Sequence, residues 1–378
     1  MRTFNLMRRQ GGDVRRFALA MLAASAALFA TPASAQRIDC PLRNERYSLD
    51  TPAIDVLLKP EAVAIVEHAR PGLLGSIPPT FLSTTPPNFG AILSLRTVLS
   101  MARLEPDTVA RVDTELRSLR VTDADRVARC ARYDVDRPDI TFPTGNPRIL
   151  LFEKMTGFRD GPSVNAARTA FVAMAERHGW SIITTDRGGA ITPSILRNVD
   201  VIIWNNVSGD VLTLTQRRAF RRFVENGGGF IAVHGSGGDP IYVWDWYVDT
   251  LIGARFIGHP INPQFQDARI IVNNDAHIGV DLAPGWTMSD EWYSFASNPA
   301  DAGARVIASL DESTYSQVGR EGQNLRMGEH PIVWTRCVGD GRSFYSAIGH
   351  RPETYSDPNY VRLLEQAVTW AANKTTCE

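Results

Sequence analysis

The chain has 378 residues, of which 44% are hydrophobic and 21% are charged, and its formal net charge at pH 7 is −1. This length exceeds one average domain and predicts one large domain with an accessory region. The near-neutral charge and the lack of a basic run exclude nucleic acid as a partner. No segment after residue 35 approaches about 20 uninterrupted apolar residues, so we expect no stable membrane insertion of the mature chain.

The first 35 residues have the pattern of an export signal. Five arginines precede the apolar stretch FALAMLAASAALFA, and the small-residue sequence ASA stands directly before Gln36. A basic start, a short apolar core and a small-residue cleavage site are typical of a signal peptide. We therefore predict that residues 1–35 are removed and that the mature protein is exported, either to the periplasm or as a secreted protein. An uncleaved membrane anchor is the less favoured alternative, because the apolar core is short for a span.

The four cysteines fit an oxidising compartment. Cys40 and Cys130 flank the N-terminal part of the chain, while Cys337 and Cys377 lie in the C-terminal part. Pairing each cysteine within its own part is the simplest of the three possible connectivities, and the sequence does not choose among them. No cysteine stands in a C-x-x-C pair, which argues against a structural zinc site. We expect structural disulfides or idle thiols.

Residues 36–146 have a helical character that the rest of the chain lacks. Apolar residues recur at helical spacing in four segments, and Pro106 opens the third of them at a favoured first-turn position. A Pro-rich connector, residues 75–90, separates the first two segments. We predict a small helical region that ends in a linker over residues 134–147.

Strands and helices alternate in residues 147–378. The short apolar runs RILLFE, WSIITT, DVIIWN and GFIAVH predict buried strands, and helical patterns separate them. In the first helical pattern Ser163 is a plausible N-cap and Gly179 a plausible C-terminal stop. Thr213 and Gln216 have the spacing of a capping box before the next helix. The sequence therefore predicts an α/β fold with a doubly wound, mostly parallel sheet.

The predicted sheet also indicates where a ligand would bind. In doubly wound sheets ligands bind beyond the carboxyl ends of the strands, which selects the loops 154–162, 205–210 and 234–259. Two later apolar segments are joined by GDG, a hairpin signal. We therefore expect added antiparallel strands before the closing helix.

Histidines stand at several of these strand ends. The strand GGGFIAVH ends on His234, at the turn where several α/β hydrolytic enzymes hold a Ser or Cys nucleophile. His259, His330 and His350 also stand at strand or segment ends, whereas His277 does not. A neutral imidazole titrates near neutral pH and serves as a general acid or base. Four histidines in such positions predict one shared site.

Two adjacent carboxylates, in the segment SDEWYSF, complete the predicted acid–base groups. On a strand their side chains point to opposite faces, so only one would enter a pocket. The same groups could hold a divalent metal, but no H-E-x-x-H or other short paired spacing is present, so a metal is the less favoured alternative and no metal ligand is assigned. The candidate catalytic residues are His234, His259, Asp290, Glu291, His330 and His350.

Polar and aromatic residues in the same loops are candidates for contacts with a sugar. Asn206 and Ser208 follow a buried strand in NNVSGD, where turn chemistry is an equally good explanation. Trp246 and Tyr247 belong to an aromatic loop, and aromatic faces beside polar donors form sugar-binding surfaces. A place in the core is somewhat favoured for Trp246.

Ordered segments over residues 148–373 resemble the ThuA-like (trehalose-utilisation) family. They include GFR, NNVSGDVL, GGGFIAVH, WDWY, IGHP, DEWYSF and GRSFYSAIGHRPETY. The resemblance implies a flavodoxin-like sheet of the class I glutamine amidotransferase-like type, without the amidotransferase cysteine. It also implies a role in disaccharide breakdown through keto-sugar intermediates. In the family, the first loop commonly continues from GFR into a histidine. This chain has Asp160 at that position, so the role of the family's histidine does not carry over to it.

These observations lead to one functional hypothesis and two alternatives. We expect an exported enzyme of sugar or keto-disaccharide catabolism, a hydrolase, lyase or isomerase that uses histidine and carboxylate groups for acid–base chemistry. A glutaminase is excluded because no thiol stands at His234. The alternatives are a non-catalytic carbohydrate-binding module and a metal-dependent hydrolase. A small carbohydrate is the expected partner. A divalent metal is the one cofactor that the sequence leaves open, and the sequence also leaves open whether the chain forms a homo-oligomer. The candidate substrate-binding residues are Phe158, Arg159, Asn206, Ser208, Trp246, Tyr247, Tyr293 and Tyr345.

Overall fold

The computed structural model describes residues 38–273, 278 and 281–377. The predicted signal peptide and His277 lie outside these residues. Within the described part of the chain, no helix has both the length and the apolar character needed to cross a membrane.

The N-terminal part of the described chain is helical, as its apolar spacing predicts. Its helices are α1 (Ala53–Leu57), α2 (Pro60–Ala69), α3 (Pro79–Leu82), α4 (Leu95–Ser100), α5 (Pro106–Ser118) and α6 (Asp123–Cys130). Pro106 is the first residue of α5, where its missing N–H costs no hydrogen bond. Leu95, Leu99, Val112 and Leu116 are buried in a small hydrophobic cluster between these helices, so the region has a core of its own.

The remaining residues alternate between strands and helices. The strands are β1 (Arg148–Phe152), β2 (Ser181–Thr185), β3 (Val201–Asn205), β4 (Gly229–Val233), β5 (Phe256–Gly258), β6 (Phe265–Val272), β7 (Gly285–Glu291), β8 (Ser294–Phe295), β9 (Arg305–Leu310), β10 (Pro331–Val338) and β11 (Gly341–Ser346). The α-helices are α7 (Gly161–His178), α8 (Pro193–Leu196), α9 (Leu214–Glu225) and α10 (Pro358–Ala371), and a π-helix spans Trp246–Ile252.

Nine strands form one mixed sheet in the order β2-β1-β3-β4-β11-β10-β9-β6-β7. The first five strands of this order are parallel, and the others pair antiparallel. The first five follow the flavodoxin-like order 2-1-3-4-5, with β11 as the fifth strand. The structure therefore confirms the mostly parallel, doubly wound sheet with added antiparallel strands, preceded by a helical region. Strands β5 and β8 form a separate two-stranded ribbon.

The helix ends agree with the sequence patterns except at α7. The capping box of Thr213 and Gln216 opens α9, and Gly179 ends α7 in the left-handed conformation at φ 68°. The N-cap of α7, however, is Asp160 and not Ser163, so the prediction for Ser163 was wrong. Pro162 fits the first turn of a helix, and the Asp160 carboxylate accepts the Ser163 backbone N–H at 3.2 Å. The helix therefore begins before the predicted cap.

The structure contains two disulfides, one in the N-terminal part and one in the C-terminal part of the described chain. Cys40 pairs with Cys130, and Cys337 pairs with Cys377. This is the simplest of the three connectivities that the sequence left open. The first disulfide ties the start of the described chain to the end of α6, and the second ties β10 to the segment after α10.

A buried ion pair inside the helical region provides a test of its packing. Asp55 is fully buried and binds Arg132, whose side chain is also buried, through two hydrogen bonds. Removing one partner leaves a buried charge without compensation, so we expect Asp55→Ala to lower the free energy of unfolding by about 3–5 kcal/mol in urea denaturation. The matched control is Asp50→Ala, which removes an exposed pair with Arg96 and should cost less than about 1 kcal/mol. Equal losses in the two variants would contradict this prediction.

Candidate functional site

The carboxyl ends of four neighbouring parallel strands deliver side chains to one edge of the sheet. Phe158 follows β1, Asn206 follows β3, His234 follows β4 and His350 follows β11. These strands are adjacent and parallel, so their carboxyl ends meet at the same edge. This is the edge at which the sequence pattern places a ligand.

His234 occupies the turn directly after β4 in a strained conformation. Its φ of 38° lies in the left-handed region, which costs a non-glycine residue about 1–3 kcal/mol. The glycines that follow allow the chain to turn beneath two aromatic rings. A Cβ atom would lie 2.4 Å from the Tyr345 ring at Gly237 and 2.5 Å from the Tyr293 ring at Gly238. The turn is therefore built to hold the imidazole in this place.

The side chain of His234 is almost completely buried, at 3% exposure. Its Nδ1 lies 2.8 Å from the Ala347 carbonyl oxygen. A carbonyl oxygen only accepts hydrogen bonds, so Nδ1 carries the proton, and Nε2 of the neutral ring has a lone pair that can accept a hydrogen bond. That Nε2 is directed toward the other polar groups of the site.

Strand β7 ends with the two adjacent carboxylates, which point in opposite directions. Asp290 is fully buried and accepts the backbone N–H groups of Gly349, His350 and Arg351 and the hydroxyl of Thr354. Burial raises the pKa of Asp290, although the charge of His234 and the donated hydrogen bonds oppose the shift. Asp290 therefore holds the loop that carries His350 and does not face the pocket.

Glu291 lies at the centre of a cluster of three imidazoles. Its Oε2 is 3.0 Å from Nδ1 of His350 and 3.4 Å from Nε2 of His234, and its Oε1 is 3.3 Å from Nδ1 of His259. The amide of Gln264 also donates to Oε1. The two histidine nitrogens, His234 Nε2 and His350 Nδ1, are 3.0 Å apart. We call His234, His259, Glu291 and His350 the histidine–glutamate cluster.

Electrostatics favour the carboxylate form of Glu291. Its burial would raise the pKa, but the hydrogen bonds and charges of His234 and His350 in their protonated forms hold it well below its usual range. The pKa of His350 is raised; burial opposes the shift, and the hydrogen bond and charge of Glu291 outweigh it. The site therefore combines a buried anion with an imidazole that readily holds a proton.

Tyr293 adds a hydroxyl to the cluster. Its Oη lies 2.9 Å from Nε2 of His234, and its ring stacks on the His234 ring with centroids 4.3 Å apart. Burial raises the pKa of Tyr293 well above its usual value, and the charge of Glu291 adds to the shift. The phenol is therefore a neutral hydrogen-bond donor. Of the predicted substrate contacts, Tyr293 is the one that touches His234 Nε2.

His330 does not join the cluster. Its ring is fully buried, with Nε2 2.8 Å from the Tyr293 carbonyl oxygen and Nδ1 2.9 Å from Glu312. Because protein atoms occupy both ring nitrogens, the structure places this histidine behind the site, where it supports the backbone of Tyr293. The position of His330 therefore does not support the predicted role as a general acid or base.

Three of the aromatic residues that were predicted to contact a substrate pack within or against the hydrophobic core. Trp246 packs on Phe220 in the first turn of the π-helix, and Tyr247 donates its hydroxyl to the Ser236 carbonyl. Tyr345 donates its hydroxyl to the His234 carbonyl. Tyr247 belongs to the core, and Trp246 is partly buried against it, which is close to the alternative that the sequence favoured for Trp246. Tyr345 supports the strained turn from below.

Asn206 and Ser208 hold the loop after β3, as their turn-forming alternative predicts. The side-chain oxygen of Asn206 accepts the Gly235 N–H at 3.3 Å, and its φ is 55°. The Ser208 hydroxyl donates to Asp239 at 2.6 Å and accepts the Phe158 N–H at 3.0 Å. Both side chains are thus engaged with protein groups.

The cluster opens to solvent on the side of His350 and His259, whose side chains are 14% and 24% exposed. A cavity of about 590 Å³ adjoins His350. Its lining residues are Asp160, Pro162, Phe265, Ser289, His350, Arg351, Pro352 and Glu353. This volume lies within the range of small-molecule sites. Arg159 is exposed and directly precedes Asp160, which lines this cavity.

Sequence reasoning missed Gln264 and Phe265 at this opening. The Phe265 ring lies 5.2 Å from the His350 ring, and Gln264 binds Glu291. Both residues follow the IGHP segment by a few positions, so their nearness to His259 was the available signal. Phe89 was missed as well: it stacks on Phe158 at 4.9 Å, which brings the helical region to the loop after β1.

A small set of described residues could hold a metal ion. The ligand atoms of His234, Glu291 and His350 all lie within 4.8 Å of one another. Two imidazoles and a carboxylate are a donor set found in zinc and non-haem iron sites. As acid–base groups, the same residues could take a proton from a bound molecule or give one to it.

The fold and the site together define a class of protein. The parallel strands and the strained residue after β4 are those of a class I glutamine amidotransferase-like α/β protein, with histidine at the nucleophile position. All four cysteines are in disulfides, so none is available as a nucleophile. The class is therefore defined by its fold and not by glutaminase chemistry.

Comparison with known proteins agrees with this class. The family model ThuA, described as trehalose utilisation, matches residues 148–371, and the chain belongs to this family. A ThuA-like protein from Bacteroides uniformis ATCC 8492 is 24% identical with a TM-score of 0.52, and the match covers 61% of this chain and 94% of that one. A ThuA-like protein from Parabacteroides merdae ATCC 43184 is 15% identical with a TM-score of 0.46, covering 61% and 91%. No curated protein matches significantly.

Asp239, which holds the loop after β3, gives a pH-dependent prediction. Burial raises its pKa to about 7, although hydrogen bonds from Ser208 and Gly209 oppose the shift and the charge of Asp210 adds to it. The folded chain keeps this proton between about pH 4 and pH 7 while the unfolded chain releases it, so the group lowers stability as pH rises through that window. Asp239→Asn lacks this titrating group. We therefore expect the free energy of unfolding of the variant, relative to that of the wild type, to increase by roughly 2–4 kcal/mol as pH rises from 4 to 8.

The measurement is urea denaturation of both proteins at several pH values. The matched control is Asp340→Asn, in the exposed turn between β10 and β11. We expect the stability of this control to follow the wild type across the range. A constant difference between Asp239→Asn and the wild type would show that the Asp239 carboxyl does not titrate differently in the two states.

Proposed function

We propose that this protein is an exported enzyme that transforms a sugar or keto-disaccharide by proton transfer at the histidine–glutamate cluster. Membership of the ThuA family, described as trehalose utilisation, supports a role in sugar metabolism. The observation that carries the proposal is the contact of buried Glu291 with His234, His259 and His350 beside an open cavity. A buried carboxylate with three imidazoles has little structural purpose unless it handles protons, ions or polar ligands.

The cluster contains both a proton acceptor and proton donors. The Nε2 lone pair of neutral His234 and the Glu291 carboxylate can accept a proton, while protonated His350 and the Tyr293 hydroxyl can donate one. A keto group in a sugar makes the neighbouring C–H acidic, so removing that proton requires such a base together with a donor for the developing oxyanion. Water attack on a glycosidic carbon requires the same pair of groups.

The cavity beside His350 suits a polar ring-shaped substrate. Phe265 supplies an apolar face, while Asp160, Arg351 and Glu353 supply hydrogen-bonding groups around it. An apolar wall with a few polar groups is the usual composition of a sugar site. We infer that the reacting sugar enters from this cavity and meets His350 first.

Export is supported by the disulfides. Two disulfides within one chain are typical of proteins that fold in an oxidising compartment, such as the periplasm or the extracellular space. The sequence pattern of residues 1–35 points the same way. The substrate would then be met outside the cytosol.

The test is a screen of oxidised and unoxidised disaccharides, trehalose and its 3-keto form included, with product analysis by NMR. For a substrate that is turned over, Glu291→Gln and His234→Ala should each lower turnover by at least about 100-fold, because each loses a group that moves protons. The matched controls are Glu365→Gln and His178→Ala, a glutamate–histidine pair near the surface at 3.1 Å. Their activity should equal that of the wild type.

Two results would count against the enzyme. Retained turnover in both cluster variants would contradict the assignment of the site. Calorimetric binding of a sugar without product at high protein concentration would favour the non-catalytic carbohydrate-binding module instead.

A further inference from the structure

Three donor atoms of the histidine–glutamate cluster converge on one point. His350 Nδ1 lies 3.0 Å from both His234 Nε2 and Glu291 Oε2, and the last two atoms are 3.4 Å apart. Donors that share one ion at about 2.0–2.2 Å lie about 3–3.5 Å from one another. The triangle of donor atoms therefore has the size of one face of a metal coordination shell.

Two of the three donors already have the lone pairs that a cation requires, and the third would gain one by losing a proton. The hydrogen bond from His234 Nδ1 to the Ala347 carbonyl leaves Nε2 of the neutral ring with an acceptor lone pair, which faces the Tyr293 hydroxyl. The Glu291 carboxyl accepts a hydrogen bond from Gln264 and is 3% exposed, so a positive charge beside it would be strongly stabilising. His350 Nδ1, which lies 3.0 Å from Glu291 Oε2 as a hydrogen-bond donor, would release its proton when an ion binds.

Groups around the triangle fix its orientation. The Ala347 carbonyl sets the His234 ring, Gln264 holds the second oxygen of Glu291, and Asp290 binds the backbone N–H of His350 at 3.0 Å. Outer partners of this kind are typical of metal ligands, since they fix both the tautomer and the ring direction. All three donors are therefore oriented before anything binds.

We propose that His234, Glu291 and His350 bind one divalent transition-metal ion of the zinc type. Two imidazoles and one carboxylate favour such an ion over Mg²⁺ or Ca²⁺, which prefer oxygen donors. Three protein ligands leave a coordination position open toward the cavity beside His350, as in catalytic metal sites. The inference deepens the proposed function, and only the use of the ion in catalysis rests on that function.

A bound ion would leave other groups of the site for proton transfer. The Tyr293 hydroxyl, 2.9 Å from His234 Nε2, would lie beside the ion, and His259 would keep its contact with the second oxygen of Glu291. Neither side chain is a ligand of the ion in this arrangement, so both would remain available to hold or move a proton. The ion would supply Lewis-acid chemistry, which polarises a carbonyl or a water.

The experiment is metal binding by the full protein, without any sugar. Protein treated with EDTA and dialysed is titrated with ZnCl₂ by calorimetry, and Co²⁺ is added separately to follow its visible absorption. We expect one Zn²⁺ per chain and an affinity at least about 10–100-fold lower in Glu291→Gln and His350→Ala. The matched controls Glu365→Gln and His178→Ala should bind as the wild type does.

The outcomes separate this inference from the proposed function. Stoichiometric binding that both cluster variants weaken supports the metal site, whether or not any sugar is turned over. No binding by the wild type, or equal binding by wild type and variants, overturns the metal site even if the protein turns a sugar over. His350→Ala keeps the test valid if Glu291→Gln does not fold, because His350 lies at the more exposed edge of the cluster.

Discussion

Burying a carboxylate is the physical constraint on which the site depends. Glu291 is almost fully removed from water, and such a charge is tolerated only when donors or cations surround it. Its partners His234, His259, Gln264 and His350 come from three separate parts of the chain. The order of the strands in the sheet brings these parts together. The fold and the electrostatics of the site are therefore linked, because the turn after β4 and the loop after β11 each place an imidazole beside that carboxylate.

The helical region contributes to the same edge of the sheet. Phe89 stacks on Phe158, Tyr133 donates its hydroxyl to Asp210 at 2.7 Å, and Lys154 pairs with Asp134. These contacts hold the loops after β1 and β3, which border the site. The match to the family covers residues 148–371 and does not include this region. The contacts named here tie the helical region to these loops.

Two neighbouring acids on β7 have different roles because successive side chains of a strand point to opposite faces. The sequence was sufficient to predict that only one of them would enter the pocket. Asp290 and Glu291 point to opposite faces, so one holds the His350 loop and the other faces the cluster. The histidines were harder to sort. His234 and His330 both stand at ends of strands, yet one faces the site and the other lies behind Tyr293 with both nitrogens occupied. Position along a strand gives the edge of the sheet, but the direction of a ring depends on partners that are distant in sequence.

The sequence alone determined the elements, because periodicity, caps and turn residues act over a few positions. It was sufficient for the parallel strands, the capping box at Thr213, the edge of the sheet where polar groups gather, and the absence of a thiol at His234. Only the tertiary structure decided which imidazoles share a carboxylate and which aromatic rings face the cavity. Trp246 and Phe265 show the reason. Packing on Phe220 of α9 partly buries Trp246, whereas Phe265 is 40% exposed beside the His350 ring. Long-range contacts of this kind leave no local pattern.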